Sequence, residues 1–537
     1  MNSLIIVFIA IISYWLGYKF YARRLEGLWQ IDPQKQTPAT TKFDGVDYIP
    51  AKNWLVLFGH HFASISGAGP IVGPVIAVGL WGWGPALIWV ILGTIFIGGV
   101  HDFANLIISV REGGSSIADI ATNAISRRAK VIFSLFVWLA LILVIAVFLY
   151  LCADTFVKEP RIVIPSLGLI PVAVIFGFLI YNLRINIVIA TIIGLAALVG
   201  LIFLGGKFPV TILNTQAAWS IVLLIYAYIA SVIPVNILLQ PRDYLSSFLL
   251  FFGLFFGFLG LLIERPVIQT AAFTGYRSAS GDLWPMLFVV VACGAISGFH
   301  SLVASGTTSK QLPNEVQAKR IGYGGMVAEG LLAVMVILAI SAGLSSVQLN
   351  DCFVNKISPV GVFGLGYGSI TKSVLGGLGG FVAIIILNAF ILTTLDTATR
   401  INRYITEELF KIKNRFISTF IIILAGGYLA LSKDQFNTPL WQKIWPVFGA
   451  SNQLVAALAL LVVSCWLLAR KKPTCYTLLP AIFMLITTIA AMLYQLSRYI
   501  QNSDYVLIGI SIVLILLAAY LIKEVILVFR KVRKNVS

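Results

Sequence analysis

The chain has 537 residues, 59% hydrophobic and 11% charged, with a mean hydropathy of +0.96. That balance excludes a water-soluble globular protein and defines a polytopic membrane protein. The formal net charge of +17 excludes little by itself. Most of the Lys and Arg fall in loops on one side of the expected spans, so the charge is topological and calls for no nucleic-acid partner. Five cysteines, odd in number and without CxxC spacing, support neither a disulfide framework nor a zinc site.

The first apolar run, residues 2–18, has no basic residue before it and Lys19, Arg23 and Arg24 after it. That is the pattern of an uncleaved first span with its N-terminus outside. About fifteen transmembrane helices follow from hydropathy, at roughly 3–20, 54–80, 85–110, 129–152, 167–182, 185–205, 219–240, 245–263, 284–308, 321–343, 373–395, 416–432, 445–469, 476–496 and 505–528. An odd count places the C-terminus in the cytoplasm, which agrees with the basic loops lying inside. The fold class is therefore all-α. The stretches Glu264–Asp282 and Asp351–Lys372 are candidate lids on the outer side.

The second span carries Phe58-Gly-His60-His61-Phe-Ala-Ser64-Ile-Ser66-Gly67-Ala68-Gly69-Pro70-Ile-Val-Gly73-Pro74. Its glycines weaken a helix interior and its prolines remove donors, so a break is expected at 66–70. Freed backbone at membrane depth is tolerated where it lines a wet cavity or is buried in protein. Half-helices meeting there present amides to anions and carbonyls to cations. Gly67, Ala68 and Gly69, with the hydroxyls of Ser64 and Ser66, are thus candidate substrate ligands. A second loosened span holds Gly294, Gly298, His300, Ser305, Gly306, Thr307 and Thr308. A third interruption, Ser231 to Asn236 around Pro234, adds Asn236 to the substrate candidates.

All four histidines, His60, His61, His101 and His300, fall within expected spans, with Asp102 and Glu329 at similar depth. Intramembrane ionisable groups are costly and mark pathways or proton relays. Imidazoles titrate near neutral pH. These six residues, with the hydroxyls of Ser305, Thr307 and Thr308, are the candidates for proton or ion coupling. Gln240-Pro-Arg242-Asp243 reads as a cytoplasmic turn with an Arg–Asp pair, and Asp396 with Arg400 as a helix-surface pair four residues apart.

Setting the first span aside, residues 54–395 divide into five plus five spans, 54–218 and 219–395, in which the break at 66–70 corresponds to Pro234. An odd repeat inverts the second copy, the plan of LeuT-like transporters. In that plan the eighth core span lies against the first, and here it is the His300 segment. One N-terminal helix (1–53) and about four C-terminal helices (396–537) flank this core.

Six strings together resemble the carbon starvation protein A (CstA) family. They are FGHHFASISGAGPIVGP (58–74), HDF (101–103), QPRDYLS (240–246), ACGAISGFHSLVASGTTSKQL (292–312), LTTLDTATR (392–400) and WPVFGASNQL (445–454). The resemblance runs from Trp54 to about Arg470. It implies an inner-membrane importer of peptides and pyruvate with proton coupling, and a LeuT-like core of the amino acid–polyamine–organocation superfamily.

The leading expectation is a secondary active transporter in a bacterial or archaeal cytoplasmic membrane. Its partners are a small-molecule substrate and membrane lipid. It is expected to use no cofactor or metal, only a coupling H+ or Na+. A passive channel for small organic acids would not accumulate substrate. A membrane metalloenzyme is disfavoured by the absence of HExxH and by only four histidines.

Overall fold

The computed structural model describes residues 1–355, 357–432 and 440–534. Residues 433–439 and 535–537 of the expected C-terminal block lie outside the described residues. The described residues form a bundle of helices, eleven of them long and apolar enough to cross a membrane. Trp54–Ile65 (α1) and Gly69–Trp81 (α2) form one further candidate span, bent by 44° at the break. The chain is therefore a multi-pass membrane protein. Among the described residues, strand is confined to a two-stranded hairpin, Arg277–Ser278 with Gly281–Asp282.

The elements that frame the interior follow in order. Gly99–Arg111 (α3) continues the helix begun at Trp83, and Arg127–Lys158 (α4) is a 32-residue rod. Gln216–Val232 (α5) and Leu239–Glu264 (α6) are joined by a short irregular connector. Leu283–Val290 (α7) and Gly298–Gly306 (α8) are the halves of a second interrupted crossing, followed by Gly324–Gly343 (α9) and Gly379–Phe410 (α10). Leu440–Ala469 (α11), Cys475–Gln501 (α12) and Tyr505–Lys534 (α13) complete the bundle.

The bundle has two distinguishable ends. One carries Lys52, Arg111, Lys310, Arg400, Arg403 and Arg470, knit together by contacts such as Arg111 to Glu315 and Arg470 to Glu112. The other carries the N-terminus, where Asn2 bridges Val267, and the hairpin after α6. The expected lid at 351–372 is largely helical, formed by Ser346–Val354 and Pro359–Ile370.

The interruption at 66–68 has local causes. Ser66 leaves helical backbone at φ −79°, ψ 58°, and Gly69 with Pro70 restarts the helix, proline being tolerated in a first turn. Pro234 does something different. It lies in the connector between α5 and α6, where Val235 N–H bonds Val46 O at the basic end. The expected mid-span break there is an inter-helix turn, because a proline that ends a helix reads the same as one that interrupts it. The second interrupted crossing is the His300 segment itself.

Candidate functional site

The two interrupted crossings run antiparallel and their breaks meet. A Cβ at Gly69 would fall on the Cys293 side chain, and one at Gly73 would lie 2.5 Å from Val290 O. Gly294 holds φ +95°, a left-handed conformation that side chains disfavour, and a Cβ there would lie 3.5 Å from Pro70. Both outgoing half-helices, α2 from Gly69 and α8 from Gly298, therefore aim their N-termini at this junction. The Ala68 and Gly69 amides have no hydrogen-bond acceptor among the described residues, and the buried Ser66 hydroxyl is unpartnered. Positive helix ends with free amides suit an anionic group.

Neighbouring helices brace the junction. Thr394 of α10 donates to Ser64 O at 3.3 Å, and Ser64 meets the Thr397 hydroxyl at 3.1 Å. Asn452 of α11 accepts from Phe299 N at 2.8 Å and donates to the Ser297 hydroxyl at 2.9 Å. It thereby caps α8, replacing the acceptor that the broken helix cannot supply. Its signal in the sequence is an Asn inside an apolar span.

Directly beside the junction lies a fully buried cluster from three helices. Asp102 on α3 accepts from both flanking rings, at 2.8 Å from His101 Nδ1 and 2.9 Å from His300 Nδ1. The far nitrogen of His300, Nε2, stands 3.0 Å from Glu329 on α9, without a well-aligned hydrogen bond. An imidazole between two carboxylates can face both with N–H only as imidazolium; otherwise one acid must carry the proton. The set can thus hold a proton between buried acids and bases, where ionisable groups are costly. Among the described residues no group of three His, Cys, Asp or Glu is arranged to hold a metal ion.

A second buried network lies toward the basic end. His60 Nδ1 is 2.7 Å from Asp243, whose other oxygen accepts from Arg242 at 2.9 Å. Arg242 spans on to Asp396 of α10 and to Tyr226 of α5, and Tyr226 donates to Asp396 at 2.5 Å. A relay of amides sets the tautomer. Tyr181 donates to Gln240, Gln240 to Gln311 at 2.8 Å, and Gln311 to His60 Nε2 at 3.2 Å, so Nδ1 carries the proton toward Asp243. The expected turn at 240–243 is thus the first turn of α6. The expected surface pair Asp396–Arg400 does not form, because Asp396 faces Arg242 while Arg400 faces Asp47 at 2.7 Å.

The remaining candidates divide. Thr307 lies 3.3 Å from His60 Nε2, and Thr308 2.9 Å from His61 Nδ1. Ser305 accepts from Ile117 N at 3.1 Å and so caps the short helix Ile117–Ala124. Asn236 sits in the connector at the basic end, away from the junction, because Pro234 closes α5 before it. The structure does not bring it together with the other substrate candidates at 64–69.

A cavity of about 390 Å³ has Gly69 and Cys293 on its floor and Ser280, Arg498 and Asn502 at its mouth. It opens toward the end with the N-terminus. Ser305, Thr307 and Thr308 do not line it. The opposite, basic end is shut by Asp47, which holds Arg400, Arg403 at 3.0 Å and the Tyr404 hydroxyl at 2.7 Å. Burial would raise the Asp47 carboxyl, but Arg400, Arg403 and Lys310 outweigh it and hold it well below the usual carboxylate range.

Interrupted antiparallel crossings, a polar junction at membrane depth and one closed end define a membrane transporter of the LeuT-like class. A manganese transporter of Eremococcus coleocola shares the fold at a TM-score of 0.54, with 13% identity over 90% of this chain and 99% of that one. The model of the family described as carbon starvation protein CstA matches residues 2–351 and 345–491, and the chain belongs to that family. Peptide transporter CstA of Escherichia coli K12 is 31% identical over 91% of this chain and 81% of its own length. The pyruvate/proton symporter BtsT of the same organism matches at 31% over 91% and 81%. Peptide transporter CstA of Campylobacter jejuni is 29% identical over 94% and 82%. Family and fold neighbours are transporters, not enzymes.

Proposed function

We propose that this protein is a secondary active transporter that imports peptides and/or pyruvate across the cytoplasmic membrane of a bacterium or archaeon by proton symport. The observation that carries this reading is the junction itself. Two half-helix N-termini and the free amides of Ala68 and Gly69 lie beside a buried His–Asp–His–Glu set. A substrate carboxylate at the amides and a proton at His300 would each offset the other's charge in a largely buried site, which couples their movements. Relatives named for peptides and for pyruvate share the carboxylate this geometry suits. Residues 54–395 would form the inverted-repeat core, with the basic end in the cytoplasm and no cofactor beyond the coupling ion.

The test is uptake in proteoliposomes under separately imposed proton and sodium gradients, with labelled pyruvate compared with a labelled dipeptide. Accumulation above the external concentration driven by the proton gradient is the expected result. Equilibration without accumulation would make the protein a passive channel. Accumulation driven by sodium alone would remove the proton from the mechanism.

A further inference from the structure

The cavity above the junction is not walled by the core alone. Tyr494, Arg498 and Asn502 recur every four residues along α12 and its end, and so line it from one helical face. Leu507, at the start of α13, closes the same side. The opposing walls, Ile76, Val290 and Phe448, are apolar. The Arg498 guanidinium makes one hydrogen bond, to Ala279 O at 3.1 Å, and no ion pair among the described residues. A planar fork of donors with most of its capacity unused, at the mouth of a cavity ending in free amides, fits a carboxylate.

Resting on the transport reading, we propose that the hairpin α12–α13 is the outer wall of the substrate path and that Arg498 recruits the substrate carboxylate there. The carboxylate passes from Arg498 to the amides at Ala68 and Gly69, and the apolar walls take the remainder of the molecule. Asp504 lines the same mouth.

The experiment uses the full chain in proteoliposomes, with KM and maximal rate measured for labelled pyruvate and a labelled dipeptide. Arg498→Gln should raise KM about tenfold or more for transported carboxylates while the maximal rate stays within about twofold. Arg498→Lys should recover part of the loss. A KM within about twofold of the parent in Arg498→Gln overturns the proposal, given that the parent transports.

A second readout does not need transport. Cys293 lies on the cavity floor, Cys152, Cys352 and Cys465 are buried, and Cys475 is exposed at the other end of the bundle. In a Cys475→Ser background, a membrane-impermeant thiol reagent should label Cys293, and pyruvate or dipeptide should slow the labelling. Protection lost in Arg498→Gln supports the proposal even where the parent transports neither compound, in which case the transport reading alone fails. Protection equal in parent and variant overturns it.

Discussion

Gly69 and Cys293 occupy the same point in the membrane on two antiparallel interrupted helices, so close that a methyl group at 69 has no space. The contact locks the two breaks at one depth, which is what makes a shared site of them. Gly69→Ala should therefore destabilise the protein by about 1–3 kcal/mol through overpacking. Cys293→Gly removes the atoms it meets, so the double variant should recover much of the loss in melting temperature and uptake. A double variant no better than Gly69→Ala would place the clash elsewhere.

Asp102 is a carboxylate shared by two imidazoles, His101 and His300. Asp102→Asn keeps the shape but cannot balance a protonated His300. Proton-driven uptake should fall about tenfold or more while counterflow exchange at fixed pH is spared, because only net proton movement is lost. His300→Ala should behave likewise, with normal membrane insertion checked by yield and gel-filtration profile. Full uptake with its pH dependence intact in either variant would remove the cluster from the coupling mechanism.

Local chemistry was legible in the sequence, and distant pairing was not. Gly67, Gly69 and Pro70 announce a break because helix propensity is a property of the residues themselves. The histidines announce a site because ionisable groups are expensive in lipid. Pro234 misled because composition does not reveal whether a proline closes a helix or cuts a span. Asp396 and Arg400 misled because spacing of four puts two residues on one helix face without saying what else that face meets. Arg242 and Asp396 are 154 residues apart, and nothing local in either stretch points to the other. Asn236 lies in the connector with Pro234, and the bond from Ile117 N to Ser305 joins residues 188 apart, which nothing local announces.

The Arg242 network offers a test of that missed pairing. Arg242 is buried between Asp243 and Asp396, so Arg242→Met leaves two carboxylates facing each other without a counter-ion. The expected cost is about 3–5 kcal/mol, seen as a lower melting temperature in detergent. Adding Asp396→Leu removes one stranded charge and should recover a substantial part of that cost. Additive losses in the double variant would show that the pair does not act as a unit.

Asp47 closes the basic end through Arg400, Arg403 and Tyr404, and its effect on pH can be signed. Its carboxyl is held below its ordinary value, so its contribution is complete above the unfolded value of about 3.9 and is lost only as pH falls below that. Between pH 5 and 8 the latch stays charged. Asp47→Asn should therefore weaken closure, lowering stability by about 3 kcal/mol, the low end for a buried pair because Asp47 is 15% exposed, and raising substrate leak. The shape of the pH–uptake profile across that range should not change, since on the proposed mechanism the coupling proton is carried by the His300 set and not by Asp47. A profile flattened by Asp47→Asn, with Asp102→Asn leaving it intact, would move the proton from His300 to the latch and reverse the assignment of coupling site and gate.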